Sequence, residues 1–407
     1  MRSRAPREAN DPATPQLVRE GDVLGDKYRI ERCLGGGGMA SIHAARHRVL
    51  DQPVAIKILA PRAREQPDAV LRFLREARAV TRLKGEHVVR VFDVGTTEDG
   101  APYLVMELLE GKDLGALLEE GFEPTVEEAV DYTLQTCEAL AEVHGLGIVH
   151  RDLKPANLFV TRGADGRTCL KLIDFGISRI DPSQSPHDTL TLTHPEIVLG
   201  SPQYMAPEQM ESGASADSRS DIWSVGAILY ELLVGRPPFD GESLFDIYAA
   251  AVREPPPRPS GFREGIPEGL DDVVLRCLRV TPAERWPDVA ALAAALAPFG
   301  DANAAARAES IARVLETSRA RGAVERARAR PDASETPSSA VGERRGSLHR
   351  QAILVSAMVL LVAAGFAARP ITERLERFQL RPRGVSAQPA PRAEPTPHAG
   401  APLEERK

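Results

Sequence analysis

The eight residues His150-Arg-Asp-Leu-Lys-Pro-Ala-Asn157 constrain this 407-residue sequence more than any other stretch. They place a carboxylate (Asp152), a lysine (Lys154) and an amide (Asn157) close together, and Asp174-Phe-Gly176 follows further along the chain. The oxygen atoms of Asn157 and Asp174 are ligands of the kind that Mg²⁺ prefers. Asp152 can act as a base, and Lys154 can hold a phosphate by its charge. A string of this kind has a negligible chance frequency, so it predicts a catalytic site rather than a purely structural segment.

A run of glycines lies upstream, where Leu34-Gly-Gly-Gly-Gly-Met-Ala-Ser-Ile42 joins two strand-like stretches. Gly35 and Gly37 stand in a G-x-G arrangement, which lets backbone N–H groups approach phosphate oxygens without a Cβ in the way. Alone, the run is equally well explained as a simple turn, and Ala40 occupies the place of a third glycine. Further along, Lys57 ends the apolar run Val54-Ala-Ile-Lys57. Because a lysine that ends a buried strand needs an anion, either phosphate or carboxylate, it favours the phosphate interpretation.

The hydrophobic patterns divide the chain before Gly300 into two parts. Strand-like runs occur at Tyr28–Leu34, Ser41–Ala45 and Val54–Leu59. Asp68–Leu83 has helical spacing of its apolar residues, which are Val70, Phe73, Leu74, Ala77 and Val80. After Thr125 the pattern becomes mainly helical. The sequence therefore predicts an α+β fold in which a small strand-rich lobe precedes a larger helical lobe.

With these motifs the chain resembles the eukaryotic-like Ser/Thr protein kinases of bacteria, over about residues 25–298. Two more of their signatures follow in the expected order, Ala206-Pro-Glu208 and Asp221-Ile-Trp-Ser-Val-Gly226. The resemblance implies the bilobal protein-kinase fold, with the N-terminal lobe ending at about residue 108 and ATP in the cleft. It also implies ATP and Mg²⁺ as cofactors and protein substrates with Ser/Thr acceptors.

The resemblance assigns roles to the motif residues one by one. It implies that Lys57 holds the α- and β-phosphates and pairs with Glu76 of the predicted helix. Asp152 is expected to accept the proton of the substrate hydroxyl beside Lys154. Metal binding falls to Asn157 and Asp174. The nucleotide-binding residues implied by the family are Leu34, Gly35, Gly36, Gly37, Gly38, Met39, Ala40, Ser41, Ile42, Ala55, Lys57, Glu107, Leu109 and Phe159.

Further roles follow from the same resemblance. The adenine is expected to lie between the side chains of Leu34, Ile42, Ala55 and Phe159. Met106 is the expected gatekeeper, and the backbone at Glu107 and Leu109 is expected to pair with the purine edge. Glu208 is expected to form a buried salt bridge with Arg285. A hydrophobic spine between the lobes is implied for Val80, Val91, His150 and Phe175. Ordinary core packing explains the apolar residues at 80 and 91 equally well.

Two details favour small alcohols as acceptors over tyrosine. Lys154 is the Ser/Thr form of this motif, and Ser201 resembles the hydroxyl that bridges the catalytic aspartate and lysine in such kinases. Arg151 lies directly before Asp152, where a buried guanidinium requires an anion. We therefore expect regulatory phosphorylation in the segment before Gly200, at Thr189, Thr191 or Thr193, which would pair with Arg151 and order the segment. The alternative is a Thr-rich flexible loop without modification.

Composition limits the partners. The net charge of −7 and the pI of about 5.8 do not favour nucleic acid as a partner. The four cysteines (Cys33, Cys137, Cys169 and Cys277) have no disulfide or zinc spacing, which indicates a reducing compartment. Residues 1–24 read as a disordered N-terminus without a secretory signal.

The C-terminal quarter carries an apolar run. Residues 352–368 contain no charged side chain and lie between Arg350 and Arg369. As a helix this run spans about 25 Å, at the short end for a bilayer. We expect one transmembrane helix, preceded by an Arg/Ala-rich juxtamembrane linker at 299–351, in which 303–328 could form a polar helix, and followed by a Pro-rich extracytoplasmic tail at 369–407. A buried hairpin helix is the alternative, but a flexible approach and a Pro-rich exit leave it nothing to pack against.

The sequence thus predicts a single-pass protein of the cell membrane with a cytoplasmic kinase domain that autophosphorylates, with a homodimer as one arrangement of neighbouring copies. Arginines flank the apolar run on both sides, so the positive-inside signal is weak. A second function class is a pseudokinase scaffold that binds partners without catalysis, and the presence of Lys57, Asp152, Asn157 and Asp174 argues against it. A ligand-sensing tail is unsupported, because residues 369–407 are too few for an independent core.

Overall fold

The computed structural model describes residues 18–36, 40–64, 67–163, 165–174, 202–211 and 216–329. Six strands form an antiparallel sheet in the first part: β1 (Val23–Leu24), β2 (Tyr28–Gly36), β3 (Ala40–His47), β4 (Pro53–Leu59), β5 (Val91–Thr96) and β6 (Pro102–Glu107). Their order across the sheet is β1-β2-β3-β4-β6-β5. β4 lies between β3 and β6, which explains why its apolar run is buried on both faces. The three predicted strands are confirmed.

Two helices follow β4, α1 (Pro61–Arg64) and α2 (Pro67–Val80). α2 confirms the predicted helix, although it ends at Val80 rather than at Leu83 as the pattern indicates. Phe73 and Ala77 of its apolar stripe are buried against Leu59 and Leu104 of the sheet. At the helix end the hydroxyl of Thr81 donates to the carbonyl of Arg78, which satisfies a carbonyl that the helix leaves open.

The second part is mainly helical. Its longer helices are α3 (Leu114–Glu119), α4 (Val126–Gly145), α5 (Pro207–Glu211), α6 (Ser218–Val234), α7 (Leu244–Arg253), α8 (Glu268–Cys277), α9 (Val289–Leu296) and α10 (Ala304–Ala329). A small antiparallel sheet, ordered β7-β8-β9, consists of β7 (Lys112–Asp113), β8 (Leu158–Arg162) and β9 (Thr168–Leu172). The predicted sequence of a strand-rich lobe and a helical lobe is therefore confirmed.

The helix α6 forms the centre of the helical core. Most of its residues are buried around its whole circumference, as expected for an interior helix. The carboxylate of Asp217 caps its N-terminus by accepting the backbone N–H of Arg219. Gly235 ends it with a φ of 80°, a left-handed conformation that glycine adopts without strain. α4 begins with a capping box between Thr125 and Glu128.

Helix α10 confirms the helix predicted at residues 303–328. Ala304–Ala329 packs on α4 and α9, a contact that the sequence did not predict. One side of this helix is buried in the same core as α4, through Ala304, Ala308, Ile311 and Leu315. The spacing of these residues is helical, but two of the four are alanines, whose weak hydrophobicity hides the stripe among charged residues. The packed unit therefore extends well past residue 298.

Several predicted segments lie outside the described residues. These are the N-terminal 1–17, the segment 175–201 that includes the three threonines, and everything after 329, including the apolar run 352–368. In the part of the chain that the structure describes, no helix is both long and apolar enough to cross a membrane.

Candidate active site

The glycine-rich turn connects β2 and β3. Gly35 pairs with Ile42 and Gly36 with Ser41, while residues 37–39 lie outside the described ranges. A Cβ added at Gly35 would have no heavy atom within 4 Å, and one at Gly36 would make only ordinary contacts with Ser41. Packing within the described chain therefore does not require glycine at these two positions. Ala40 begins β3, where it pairs with Leu59.

Lys57 points its amine at the carboxylate that follows β9. It lies on β4 opposite Ile42 and Leu104. Its Nζ is 2.8 Å from Oδ1 of Asp174, and its side chain is 14% exposed. The anion that the sequence requires for this lysine is thus a carboxylate 117 positions away. Glu76 lies on α2, but its side chain is outside the described part of the structure, so the Lys57–Glu76 pair stays a prediction.

The residues of the catalytic motif form a short hydrogen-bonded loop after α4. Nζ of Lys154 is 3.2 Å from Oδ2 of Asp152. The side-chain amide of Asn157 donates to the backbone carbonyl of Asp152 at 2.7 Å. The backbone N–H of Asp152 donates to Nδ1 of His150, which is fully buried. Burial lowers the pKa of His150 against the opposing charge of Asp221 and other carboxylates, which keeps the ring neutral and able to accept this bond.

Asp221 of α6 fixes the backbone of this loop by hydrogen bonds. Its carboxylate accepts the backbone N–H groups of His150 and Arg151, each at 2.8 Å, and Nε2 of His144, also at 2.8 Å. Burial alone would raise the pKa of Asp221, but the hydrogen bond and charge of His144 and the other donors lower it below its ordinary value. The carboxylate therefore stays ionised inside the core.

Arg151 needs this support because its backbone is strained. Its φ of 66° lies in the left-handed region, which non-glycine residues rarely adopt. In addition to Asp221, the side chain of Gln209 donates to the carbonyl of Arg151 at 3.0 Å. Since Asp152 follows directly, both bonds fix the direction of the candidate base. The sequence shows the motif around Asp221 but not this role, nor those of His144 and Gln209, because each bond joins positions that are far apart along the chain.

The hairpin of β8 and β9 brings the two candidate metal ligands to one end. Asn157 directly precedes β8, and Asp174 follows β9 after one residue. The strands pair Leu158 with Leu172, and the N–H of Ile173 donates to the carbonyl of Asn157 at 3.0 Å. An amide and a carboxylate are hard oxygen donors, which fits Mg²⁺, an ion that keeps waters and substrate phosphates as further ligands.

Five of the predicted adenine-site residues lie on strands β2, β3, β4, β6 and β8, and they are Leu34, Ile42, Ala55, Met106 and Phe159. Ala55 pairs with Met106, and both are buried in the core cluster against which Ile42 packs. Leu34 is 39% exposed at the end of β2. Phe159 of β8 pairs with Asp113, and its ring would lie 3.3 Å from a Cβ added at Gly111.

The segment that joins the two parts is held by Glu107. Its side chain accepts the backbone N–H of Arg90 at 2.8 Å and Nζ of Lys171 at 2.9 Å. Lys171 lies on β9 and Glu107 at the end of β6, so this pair ties the strand before Asp174 to the joining segment. Leu109 follows two residues later and is half-buried. No sequence pattern pointed to Lys171.

The predicted pair of Glu208 and Arg285 is confirmed. Two parallel bonds join them, from Nη1 to Oε1 at 2.7 Å and from Nη2 to Oε2 at 2.8 Å. The guanidinium is buried and also donates to the carbonyls of Arg219, Arg279 and Val280. Burial would raise the pKa of Glu208, but the bonds and charge of Arg285 lower it below its ordinary value. Because every donor of the guanidinium is bonded, the buried charge is compensated.

The predicted hydrophobic spine and the predicted phosphorylation sites are described only in part or not at all by the structure. Val80 and Val91 both belong to or pack against the core cluster, and His150 is buried, whereas Phe175 is outside the described residues. The stacking of a spine therefore stays a prediction. Ser201, Thr189, Thr191 and Thr193 also lie outside the described residues, as do Gly37, Gly38 and Met39.

Comparison with known proteins agrees with this geometry. The family model described as protein kinase domain matches residues 28–296. The serine/threonine-protein kinase Pkn1 of Myxococcus xanthus is 38% identical over 289 residues, which are 71% of this chain and 39% of that protein. PknB of Mycobacterium leprae is 38% identical over 276 residues, which are 67% of this chain and 43% of that protein. The chain thus covers about two fifths of the length of these relatives.

A solved structure shows the same fold. The kinase domain of Mycobacterium tuberculosis PknI superposes with a TM-score of 0.51 and 25% sequence identity, over 73% of this chain and 99% of that chain. The family match covers more than half of the sequence and includes every site residue placed above. The chain belongs to the protein kinase family.

Proposed function

We propose that this protein is a serine/threonine protein kinase that transfers the γ-phosphoryl group of ATP to hydroxyls of protein substrates. One observation carries the proposal: Lys154 lies 3.2 Å from Asp152, in a loop whose backbone is fixed by Asp221, while Lys57 is bonded to Asp174 across the cleft. A lysine beside the base fits the Ser/Thr form of the motif. The names of the relatives, which are serine/threonine kinases, support the same acceptor class.

The residues of the chain divide the work of this reaction. ATP with bound Mg²⁺ supplies the phosphoryl group and neutralises part of its charge. Lys57 and the N–H groups of the glycine-rich turn hold phosphate oxygens, which explains the glycines that internal packing does not require. Asn157 and Asp174 provide oxygen ligands for the metal. Asp152 accepts the proton of the acceptor hydroxyl and orients it, and Lys154 balances charge at the transferred group. Positioning and electrostatics account for most of the rate in this chemistry.

Two substitutions test this assignment. Lys57→Met and Asp174→Asn should each abolish phosphoryl transfer to a generic basic protein substrate while circular dichroism and thermal unfolding remain close to those of the original protein. Lys27→Met is the matched control, because this lysine is more than half exposed and its amine bonds to Asp93 of β5. Activity within threefold of the original in either test variant would contradict the proposal. A chain that binds Mg-ATP but never consumes it would instead be the pseudokinase scaffold.

The membrane location is also part of the proposal. We infer that residues 352–368 form a single transmembrane helix and that the kinase domain faces the cytosol, where ATP is available. The uncharged run between Arg350 and Arg369 supports this, as does a folded ATP-binding unit before it. A reporter fused after Lys407 should be active outside the cytosol. A signal confined to the cytosol would contradict the orientation, and release of the protein by salt or carbonate would contradict the span.

Autophosphorylation is the proposed control. Arg151 is half-buried beside Asp152, and Thr189, Thr191 and Thr193 lie in the segment that precedes Gly200. A phosphate adds about −1.5 to −2 charge and three acceptor oxygens, which suit an arginine. Tethered neighbours, including a homodimer, would react at a raised local concentration. A triple Thr→Ala variant should be slow and stay slow with ATP, whereas phosphatase-treated original protein should recover. A triple variant at full rate from the first minute would contradict the switch.

A further inference from the structure

Helix α10 lies outside the matched kinase region, which ends at residue 296. It nevertheless contacts a turn of α4 that is connected to the candidate active site. It packs on α4 at Gly145, where an added Cβ would overlap Cβ of Ser318 and come 2.9 Å from the backbone N of Arg319. Glycine at 145 is therefore what allows the two helices to approach closely. The turn of α4 at this point, Glu142–Gly145, makes three separate connections.

The first connection joins α10 to Glu142. Nη2 of Arg321 is 3.1 Å from Oε1 of Glu142, whose side chain is only 8% exposed. The same Nη2 lies 3.4 Å from the backbone carbonyl of Arg82. One guanidinium thus contacts both α4 and the chain that follows α2.

The second connection joins Glu142 to that chain, here named the α2–β5 loop (residues 81–90). The carboxylate of Glu142 accepts the backbone N–H of Lys84 at 2.9 Å and that of Gly85 at 2.8 Å. A Cβ at Gly85 would lie 2.9 Å from Oε2, so a glycine is needed for this approach. Arg321 adds a countercharge to this nearly buried carboxylate, which offsets part of the cost of its burial.

The α2–β5 loop connects α2, at one end, with strand β9, to which its other end is hydrogen-bonded. At its start lies α2, which carries Glu76. At its other end Leu172 donates its N–H to the carbonyl of His87, and Val89 donates its N–H to the carbonyl of Leu172, two residues before Asp174. Nζ of Lys171 also donates to the carbonyl of Glu86 at 2.8 Å. A shift of this loop therefore moves both α2 and the strand that presents the candidate metal ligand.

The third connection runs to the catalytic loop. His144, on the same turn of α4, is hydrogen-bonded to Asp221 at 2.8 Å, and Asp221 holds the backbone of His150 and Arg151. The turn of α4 that α10 covers is thus linked through His144 and Asp221 to the catalytic loop, and through Glu142 to the α2–β5 loop.

We propose that α10 is a strut for catalysis, in which Arg321 is a positioning residue that acts through Glu142 to fix the α2–β5 loop and, with it, α2 and Asp174. The proposal rests on the kinase function argued above. It gives the segment between the kinase core and the apolar run a direct effect on phosphoryl transfer. Separation of α10 from α4 would therefore lower the rate of phosphoryl transfer, although α10 contacts neither the substrate nor the nucleotide.

The test compares Arg321→Ala with Arg313→Ala, an exposed arginine of the same helix, in the full chain. Arg321→Ala should lower kcat by about 2- to 30-fold, the range typical of residues that couple to a site without touching it, with KM for the substrate unchanged. Arg321→Lys should restore part of the rate, because lysine supplies the charge but only one contact. Adding Arg321→Ala to Glu142→Gln should cause little further loss, since both break one interaction.

Hydrogen exchange gives a readout that does not depend on activity. Arg321→Ala should raise amide exchange at Lys84 and Gly85 by about tenfold or more, with no change in the strands of the large sheet, because opening of the loop becomes local. Unchanged exchange at both amides overturns the proposal, even if kcat falls. Equal effects of Arg313→Ala and Arg321→Ala also overturn it. If the wild-type protein transfers no phosphate, the kinase function alone is refuted. The exchange data at Lys84 and Gly85 then still test whether Arg321 fixes the α2–β5 loop.

Discussion

Two helices that pack on the same neighbour, α6 and α10, differ in almost every physical respect. α6 is buried around its whole circumference, is capped by Asp217 and Gly235, and holds an ionised carboxylate that supports the catalytic loop. α10 buries one narrow side built from Ala304, Ala308, Ile311 and Leu315, and its other side carries charges in water. The difference shows that one helix, α4, can pack against both a fully buried helix and a helix with one side in water. We expect α10 to open at a lower free energy than α6, because only one of its sides is buried.

The largest expected effect concerns the surroundings of α6. Arg285→Ala should lower the free energy of unfolding by about 3–5 kcal/mol, because Glu208 is left as a buried charge without its partner. Urea unfolding checks this value. Arg276→Ala is the control, since this arginine stacks on the ring of Trp286 at the surface and should cost about 0.5–1 kcal/mol. A loss at Arg285 no larger than at Arg276 would mean that the core of the second lobe is not organised around this pair.

A pair of leucines compares the two helices directly. Leu229 of α6 and Leu315 of α10 are both buried, at 0% and 2% exposure. Leucine-to-alanine changes in cores cost about 2–5 kcal/mol, and the cost falls when the site can collapse. We expect Leu229→Ala near the upper end and Leu315→Ala near the lower end, because α10 can shift toward α4. Equal losses in urea unfolding would show that α10 is as rigidly held as α6.

Acid should lower the free energy of unfolding through two carboxylates in the core around α6, Asp221 and Glu208. The pKa values of Asp221 and Glu208 are lowered in the folded protein, so the unfolded chain takes up protons first. Their stabilising contribution is complete above the ordinary carboxyl pKa of about 4 and is lost as the pH falls below it, by up to about 1.4 kcal/mol per pH unit for each group. Asp221→Asn should flatten the decline between pH 5 and pH 3 measured by urea unfolding. An unchanged slope would mean that Asp221 is not ionised in the core.

The smallest expected effect lies on the exposed side of α10. Nη2 of Arg319 is 3.1 Å from Oδ2 of Asp288, and the arginine side chain is 55% exposed. Surface pairs of this kind contribute about 0–1 kcal/mol and weaken with salt. Arg319→Ala should therefore lower the midpoint of thermal unfolding only slightly at low salt, and not measurably at high salt. A loss of stability well above the range for surface pairs would show that charge, rather than the alanine stripe, holds α10.

The same contrast explains what could be predicted from the sequence. Asp152, Lys154 and Asn157 lie close together along the chain, so their chemistry is visible in one short motif. The strands around Lys57 and the stripe of α2 follow from periodicity alone. The bonds that hold the site were not visible: Asp221 to His150 and Gln209 to Arg151 join distant positions through donors that are backbone groups or common polar residues.

The packing of α10 on α4 and α9 was not predicted. The stripe of α10 contains small residues, and alanine is common on both buried and exposed helix faces, so composition alone suggested a linker. Arg321 resembles the other arginines around it, and only its position opposite Glu142 sets it apart. The residues that carry chemistry were predictable because they are local and unusual, whereas the supports are distant in sequence and ordinary in type.

The assignment of Asp152 as the base of a Ser/Thr kinase is tested most directly by phosphosite mapping. The original protein and Asp152→Asn are incubated with Mg-ATP and a mixture of protein substrates, and the modified residues are identified by mass spectrometry. The proposed function predicts new phosphoserine and phosphothreonine with the original protein, and a rate lower by about 10²-fold or more with the variant, because the group that orients the acceptor and takes its proton is lost. Phosphotyrosine as the main product, or equal phosphorylation by the two proteins, would contradict it.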